Sequence, residues 1–353
     1  MAAAIRFARI NLGQTGTNPS VATLLVKDGI IVGRGVTAIG GRPHAETQAI
    51  AEAGELSRGS TAYVTLEPCA HHGRTPPCAE ALVTAGVSRV VIAAGDPDPR
   101  VSGKGTAILR NAEIEVVEGI LAKEAAEGLS GYLTRSMKKR PEVTLKLAIS
   151  ADGMIGRKGA GQVPITGDIS RRMVHMMRAQ SDAILVGAGT VEADDPQLTC
   201  RLPGLEKRSP IRIVLDGALR MPSTSKLATT AHDVPVWIAG LASAGSKKRI
   251  ELQAAGCRIL SCDEHRGKVA LPELLDDLGA QGISSIMIEG GAQTAQNFMD
   301  ERLVDRIVLF TSSNTVGDDG IASPVNTARK PAGFELTRIE SYGSDTRSDY
   351  VKV

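Results

Sequence analysis

Aromatic residues are scarce in this chain: it contains one Trp, four Tyr and four Phe, or 3% of 353 residues. Proteins that bind single-stranded nucleic acid rely on aromatic side chains for base stacking, and those that bind duplexes rely on a strongly basic surface. The formal net charge here is only +2. Composition therefore argues against nucleic acid as a substrate or partner.

Long apolar runs are also missing. The stretch VVIAA at 90–94 is typical, and it is much shorter than the ~20 residues of a membrane span. The N-terminus lacks the basic and then apolar pattern of a signal peptide. Two of the five cysteines lie in the motif described below, and the odd remainder (Cys200, Cys257 and Cys262) does not indicate a disulfide framework. We expect a cytoplasmic protein with no membrane association.

Length and pattern predict two α/β domains. A chain of 353 residues can bury two separate cores. The basic run KKRP at 138–141 ends in a proline that cannot continue a helix. We therefore expect a boundary near residue 141, with domains 1–141 and 142–353. Strands alternate with helices, which predicts a three-layer α/β/α first domain.

A few predicted elements place the motifs that follow. In the first domain these are a helix over 44–53, a strand over 61–66 and a helix over 77–85. In the second they are a strand over 143–150, a helix over 170–180, and a strand over 284–289 followed by Gly-Gly and a helix from about Thr294. A glycine turn that leads into a helix can hold a phosphate on its free N–H groups.

The strongest chemical signal lies between His44 and Cys78. His44, Cys69 and Cys78 provide three ligands for a zinc ion, which leaves a fourth position for water. Glu46, two residues after the histidine, is placed to move protons to and from that water. This H-x-E…P-C…C arrangement is typical of zinc-dependent nucleobase deaminases.

A structural zinc site is the alternative interpretation of the same segment. In a closed site, His71 or His72 would be the fourth ligand and Glu46 would be merely solvated. However, closed sites pair two cysteines with two to four residues between them, whereas eight residues separate Cys69 from Cys78. The spacing favours a catalytic site.

The long loop EPCAHHGRTPPC at 67–78 resembles that of the bifunctional deaminase/reductase family of riboflavin biosynthesis. The resemblance continues upstream in TNPSV (17–21) and downstream in DPDPRVSGKG (96–105). In the second half it includes LKLAISADG (145–153), RAQSDAI (178–184), TVEADDP (190–196) and EGG (289–291). It therefore covers nearly the whole chain.

For the first domain, the resemblance implies a cytidine-deaminase-like fold that deaminates 2,5-diamino-6-(5-phosphoribosylamino)pyrimidin-4-one. Glu46 would be the catalytic residue. Asn18 and His71 would contact the substrate, although Asn18 also suits a turn and His71 or His72 also suits loop packing. Weaker candidates for phosphate contact are Arg74, Arg100 and Lys104.

For the second domain, the resemblance implies a dihydrofolate-reductase-like fold that uses NADPH to reduce the ribosyl group to a ribityl chain. The residues that would hold NADPH are Ala148, Pro164, Thr190, Asp194, Gly291, Ala292, Gln293, Thr294, Ala295, Gln296 and Asn297. The residues that would hold the pyrimidine substrate are Lys146, Gln162, Arg178, Leu198, Arg201 and Glu289.

One segment departs from the family pattern. The chain has QVPIT at 162–166, where the family often has Ser-x-Trp-Ile-Thr. Because an aromatic ring beside the cofactor provides a large contact surface, we expect NADPH affinity or the reduction rate to differ.

Two other functions fit parts of this pattern. One is a deaminase of another nucleobase or nucleotide with a lapsed reductase domain. The other is a zinc-stapled nucleotide-binding module, which would unfold on chelation, whereas a catalytic site would lose activity and keep its fold. The resemblance also implies a homo-oligomer, either a dimer or a tetramer.

Overall fold

The computed structural model describes residues 1–72, 76–325 and 331–353. The chain forms two compact units, Met1–Arg140 and Pro141–Val353, which meet next to the boundary that the basic run predicts. Among the described residues, no helix combines the length and apolar character needed to cross a bilayer.

The first unit is built on a five-stranded mixed sheet with strand order β2-β1-β3-β4-β5. Strands β1, β2 and β3 pair antiparallel, and β3, β4 and β5 pair parallel. Its elements are α1 (Ala2–Ala8), β1 (Ala22–Lys27), β2 (Ile30–Val36), α2 (Ala45–Ala53), β3 (Thr61–Leu66), α3 (Cys78–Thr84), β4 (Arg89–Ala94), α4 (Lys104–Asn111), β5 (Glu115–Val117) and α5 (Ala122–Lys138).

Helices pack on this sheet in two groups. Helices α1 and α5 contact each other, whereas α2, α3 and α4 form a second group through α2–α3 and α3–α4 contacts. Their apolar side chains and those of the central strands form one core that includes Ile5, Leu25, Val64, Leu82 and Leu129. This arrangement agrees with the three-layer α/β/α prediction.

Helix α2 lies unusually close to β2 because two glycines face it. A Cβ on Gly33 would lie 2.2 Å from the Ala49 carbonyl oxygen, and one on Gly35 would lie 1.9 Å from the Ala45 carbonyl oxygen. Neither position has room for a side chain. Because Gly33 and Gly35 have no side chains, α2 can pack closely on β2, and this packing positions the start of the helix, where His44 and Glu46 lie.

We expect Gly35→Ala to destabilise the first unit by about 3 kcal/mol, because overpacking against a backbone atom is at the costly end of such substitutions. Urea unfolding followed by circular dichroism measures this, and the fluorescence of Trp237, the one tryptophan of the chain, reports the second unit separately. Gly128→Ala is the control, since no heavy atom lies within 4 Å of its added Cβ. Equal stability of the two variants would contradict the close packing of α2.

The second unit is built on a nine-stranded sheet with order β11-β10-β9-β8-β14-β6-β15-β18-β17. Its elements are β6 (Glu142–Ile149), β7 (Met154–Arg157), α6 (Asp168–Ala179), β8 (Ala183–Gly187), α7 (Ala188–Asp194), β9 (Ile211–Leu215), α8 (Lys226–Thr229), β10 (Val236–Leu241), α9 (Ser246–Ala254), β11 (Arg258–Cys262), β12 (Glu264–His265), β13 (Lys268–Val269), α10 (Leu271–Ala280), β14 (Ser285–Ile288), α11 (Ala292–Asp300), β15 (Arg306–Thr311), β16 (Gly320–Ala322), β17 (Phe334–Tyr342) and β18 (Asp345–Lys352).

Both faces of this sheet are buried. In β8, Ala183 and Leu185 join one apolar core, and the intervening Ile184 and Val186 join another. In the order in which they lie in the sheet, the seven strands β11, β10, β9, β8, β14, β6 and β15 all pair parallel. Strands β18 and β17 add an antiparallel edge. Because parallel strands end at the same edge of a sheet, the loops after β6, β8, β9 and β14 lie together, as in open α/β sheets that bind ligands there.

Candidate active sites

Three elements of the first unit bring the predicted zinc ligands together. His44 is the N-cap of α2, Cys69 follows β3, and Cys78 is the first residue of α3. The side-chain ligand atoms all lie within 4.8 Å of one another. Each ligand thus comes from the end of an element whose position the core fixes.

The distances suit a tetrahedral ion. His44 Nδ1 lies 3.3 Å from Cys78 Sγ and 3.8 Å from Cys69 Sγ. Ligands bound to zinc at about 2.0–2.3 Å lie roughly 3.3–3.8 Å from one another. The one-histidine, two-cysteine donor set is also a common one for zinc.

The charges of the two thiols point to a cation as well. The pKa of Cys69 is lowered to about 4, first because the Cys78 thiol donates a hydrogen bond to it. The pKa of Cys78 is raised in turn, since it donates that bond to Cys69 and is buried. A bound doubly charged ion would stabilise both sulfurs as thiolates.

Glu46 lies beside this cluster in the first turn of α2. It is 4% exposed, and its carboxylate is within hydrogen-bonding range of the Cys78 thiol. Burial, followed by the charge on Cys69, raises the pKa of Glu46. A buried carboxyl group with a raised pKa can both accept and donate a proton near neutral pH.

The two histidines of the long loop have different surroundings. His72 is largely exposed, and its Nε2 lies 3.2 Å from Glu80 Oε1. Among the described residues, His71 Nδ1 is buried and has no hydrogen-bond partner. His71 is therefore the one with an unused polar atom for a ligand, and neither histidine joins the metal cluster.

The other predicted contacts of this unit lie in loops or, for Lys104, at the start of α4. Asn18 donates from Nδ2 to the Gly41 carbonyl oxygen at 3.2 Å, a bond that connects its loop to the segment before α2. Arg100 pairs with Asp98, and Lys104 donates to the Pro99 carbonyl oxygen. Arg74 lies outside the described residues.

The second unit contains a cavity of about 1510 Å³ at the carboxyl ends of its parallel strands. Most of the predicted residues line it: Lys146, Ala148, Gln162, Pro164, Arg178, Thr190, Asp194, Arg201, Glu289, Gly291, Ala292, Gln293, Thr294 and Asn297. The departing segment 162–164 thus lies at the cavity wall, with Gln162 and Pro164 exposed.

Three predicted residues are not brought to the cavity wall. Leu198 and Ala295 are 4% and 0% exposed and belong to the apolar cores. Gln296 is on the outer face of α11 and donates to Asp300 Oδ1 at 2.6 Å. Along a helix, consecutive side chains cannot all face one cavity. Of the range 291–297, the structure places five residues at the cavity wall.

At one end of the cavity, a buried ion cluster carries surplus positive charge. Arg178 binds Glu289 through two bonds, Nε to Oε1 at 2.7 Å and Nη2 to Oε2 at 2.9 Å. Lys146 Nζ lies 3.8 Å from Glu289 Oε2, and Arg201 lines the same space. This cluster of three cations and one anion suits an anionic ligand such as a phosphate ester.

The pKa values follow from burial and from these neighbours. Burial alone would raise the pKa of Glu289, but the charges of Arg178 and Lys146 outweigh it and lower the pKa to about 2. Burial lowers the pKa of Lys146, partly offset by Glu289. The carboxylate of Glu289 is thus firmly ionised and holds the two cations in place.

A phosphate cradle lies next to this cluster. The turn at Gly290 and Gly291 leads into α11, and the Gly291 N–H donates to Thr190 Oγ1 at 3.1 Å. A Cβ on Gly187 would lie 2.4 Å from Thr294 Oγ1, so β8 can approach the helix start only without a side chain there. First-turn N–H groups have no acceptor within their own helix and suit the pyrophosphate of a dinucleotide.

His175 is a cavity residue that the sequence reasoning missed. It lies on α6 one turn before Arg178, and its Nδ1 accepts a hydrogen bond from the Arg201 backbone N–H at 3.2 Å. Arg171 is one turn earlier and also lines the cavity. The helical spacing 171, 175, 178 was a readable signal for one polar face.

Two family models and related sequences match this chain. The model of the RibD C-terminal domain family matches residues 141–347, and that of the cytidine and deoxycytidylate deaminase zinc-binding region matches residues 1–94. The riboflavin biosynthesis protein RibD of Aquifex aeolicus is 39% identical over 351 residues, which are 98% of this chain and 95% of that protein.

Two solved structures are similar over the whole chain. Form 1 of RibD from Acinetobacter baumannii has a TM-score of 0.86 at 36% identity. A diaminohydroxyphosphoribosylaminopyrimidine deaminase/5-amino-6-(5-phosphoribosylamino)uracil reductase from Thermotoga maritima has a TM-score of 0.86 at 33% identity. Each comparison covers 100% of this chain and 97% of the other. They confirm the predicted two-domain α/β fold class.

Proposed function

The chain belongs to the RibD family of bifunctional riboflavin-biosynthesis enzymes, and from this premise we propose how its two sites divide the work. The first unit hydrolytically deaminates 2,5-diamino-6-(5-phosphoribosylamino)pyrimidin-4-one. The second unit reduces the ribosyl group of the product to a ribityl chain. The observation that carries the proposal is the pairing, in one chain, of a His-Cys-Cys cluster beside a buried glutamate with a cationic cavity beside a phosphate cradle.

In the deaminase site, His44, Cys69 and Cys78 would hold zinc. When bound, zinc supplies a Lewis acid that lowers the pKa of a coordinated water toward neutrality. Glu46 would take a proton from the attacking water and deliver it to a ring nitrogen. It would then take the proton of the hydroxyl group added to the ring and pass it to the amine, which leaves as ammonia. The Nδ1 atom of His71 is available to the substrate.

In the reductase site, NADPH supplies the hydride. The α11 N-terminus, with Thr190 and Gly291, would bind its pyrophosphate. Arg178 and Arg201 would bind the substrate phosphate. Lys146 and Glu289 would hold the ribose so that its C1 faces the nicotinamide.

Location and assembly complete the proposal. We place the enzyme in the cytoplasm, because the five cysteines are all free thiols and reduced thiols persist in a reducing compartment. Membranes and nucleic acid are not proposed partners. A homodimer or homotetramer is the proposed assembly.

Chelation tests the first site. We expect a zinc chelator to abolish ammonia release from the pyrimidine substrate, because the metal activates the water. NADPH oxidation with the deaminated product and the circular dichroism spectrum should be unchanged, and added zinc should restore ammonia release. Unfolding on chelation would favour a zinc-stapled binding module, and ammonia release without any NADPH oxidation would favour a lapsed reductase.

A further inference from the structure

Glu67 is a buried carboxylate for which the chemistry above has no use. It is 6% exposed and precedes the ligand Cys69 by two positions. Its Oε1 accepts hydrogen bonds from the backbone N–H groups of Gly105 at 3.1 Å and Thr106 at 3.3 Å, and its Oε2 accepts one from Gly103 at 3.2 Å. These donors form the start of α4, where N–H groups have no acceptor within the helix. Glu67 therefore caps a helix whose N-cap residue, Gly103, lies 36 residues further along the chain.

The start of α4 also presses on the backbone that leads to Cys69. A Cβ on Gly105 would lie 2.1 Å from the Pro68 carbonyl oxygen, so only glycine fits there. Beyond Cys69, α3 holds the other side: the Ala79 N–H donates to the Cys69 carbonyl oxygen, and the Cys78 N–H donates to Cys69 Sγ, both at 3.2 Å. The ligand is thus fixed between two helix starts.

The same cap anchors the loop 96–103, which is part of the motif DPDPRVSGKG at 96–105 and has no role in the zinc chemistry. Asp96 accepts hydrogen bonds from the Tyr132 hydroxyl and from the Asp98 N–H, both at 2.9 Å. The Asp98 carbonyl accepts from Val101 and Ser102 at 2.8 Å. The loop then enters α4, where Glu67 receives it.

A carboxylate suits this position better than a neutral acceptor. Three converging N–H groups and the positive end of the helix dipole all favour a negative charge. An amide in its place has only one acceptor oxygen, and its NH₂ group would face N–H donors. The charge on Glu67 therefore holds the start of α4 against the segment that follows β3 and carries Cys69.

We propose that Glu67 is a positioning residue of the deaminase site: by holding the start of α4 against Pro68, it sets where Cys69 Sγ stands as a metal ligand. This inference rests on the proposed zinc site. Glu67 contacts neither metal nor substrate, so its effect acts through Cys69. Outer-shell groups of this kind affect metal affinity by about 10–100-fold.

The test compares Glu67→Gln with Glu67→Asp and with Thr106→Val. Two readouts are used: the zinc dissociation constant, by competition with a chromophoric chelator, and the visible spectrum of the cobalt(II)-substituted protein, which reports ligand geometry. We expect Glu67→Gln to raise the dissociation constant about 10–100-fold and to shift the cobalt bands. Glu67→Asp, which keeps the charge, should restore part of both.

Thr106→Val is the matched control for the stability of α4. It removes the bond from Thr106 Oγ1 to the Gly103 carbonyl oxygen but keeps the N–H that Glu67 accepts. We expect lower thermal stability with unchanged zinc affinity and an unchanged cobalt spectrum. Gly105→Ala approaches the same point from the helix side and should weaken zinc binding, because its Cβ would displace the Pro68 carbonyl.

Unchanged metal affinity and an unchanged cobalt spectrum in Glu67→Gln, with only a lower melting temperature, would overturn the proposal. Trp237 fluorescence shows in each variant that the second unit is folded. Because both decisive readouts concern the metal, they judge Glu67 even if the wild-type protein releases no ammonia. That separate result would count against the proposed function alone.

Discussion

Glu46→Gln is expected to lower the rate of ammonia release by about 10²–10⁴-fold, the usual contribution of a positioned general acid–base group. The amide has the size of the carboxyl group but cannot shuttle a proton between water, ring nitrogen and leaving amine. Because Glu46 is buried beside the ligands without being one of them, zinc affinity should change little. The measurement is ammonia release under substrate saturation, with the zinc content of each sample determined in parallel.

Two comparisons make this result specific. Glu52→Gln changes the same residue type on the same helix, but Glu52 lies at the surface and pairs with Arg34, so its deamination rate should match that of the wild type. NADPH oxidation with the deaminated product should be unaffected in both variants. A Glu46→Gln protein that holds zinc and still deaminates within tenfold of the wild-type rate would remove Glu46 from the mechanism.

The sequence was sufficient for the deaminase site because its chemistry depends on residue types at fixed spacing. His44, Cys69 and Cys78 are each rare enough, and constrained enough by tetrahedral geometry, for their joint occurrence to predict a cluster. The local elements followed as well, since β3 is a largely buried strand rich in β-branched and aromatic residues, and α2 and α3 begin at the ligands. What the sequence could not show was the role of Glu67, because its partners lie 36 to 39 residues away and are backbone N–H groups.

For the reductase site, most of the residues predicted from the sequence lie at the cavity wall, but the sequence did not predict every helix that carries them. The glycine turn at 290–291 was visible, but α11 begins at Ala292 rather than about Thr294. Helices α4, α7, α8, α9 and α10 were not predicted. Helix α7 carries Thr190 and Asp194 to the cavity four residues apart, on one face. Its sequence is only seven residues long and includes Gly189 and the β-branched Thr190 and Val191, which have low helix propensity. Packing against β8 outweighs that propensity.

The charged cluster of the second cavity could not be deduced from spacing either. Lys146, Arg178 and Glu289 come from β6, α6 and the end of β14, and only the sheet order β14-β6 places two of these elements side by side. Each residue alone would be a solvated surface charge by default. Their burial makes them one unit, which leads to the largest stability effect that we predict.

Glu289→Gln is expected to destabilise the second unit by about 3–5 kcal/mol, the usual cost of removing one partner from a buried ion pair. Arg178 and Lys146 would then face each other in a buried site without a countercharge. NADPH oxidation should fall by at least about tenfold, because a loss of 1.4 kcal/mol of positioning already has that effect. Trp237, on β10, reports urea unfolding of this unit by fluorescence, and Glu335→Gln, an exposed change on β17, is the control.

The pH dependence of stability tests whether the negative charge of Glu289 causes this effect. In the folded protein the pKa of Glu289 is about 2, below the value of about 4.3 in an unfolded chain. Its ionised form therefore stabilises the fold fully above about pH 4.3, and this contribution is lost as the pH falls toward 2. The wild-type protein should lose stability over that interval more steeply than Glu289→Gln, so the difference between them shrinks with acid. A constant difference between pH 7 and pH 3 would mean that the carboxylate charge is not what holds Arg178 and Lys146 in the cavity.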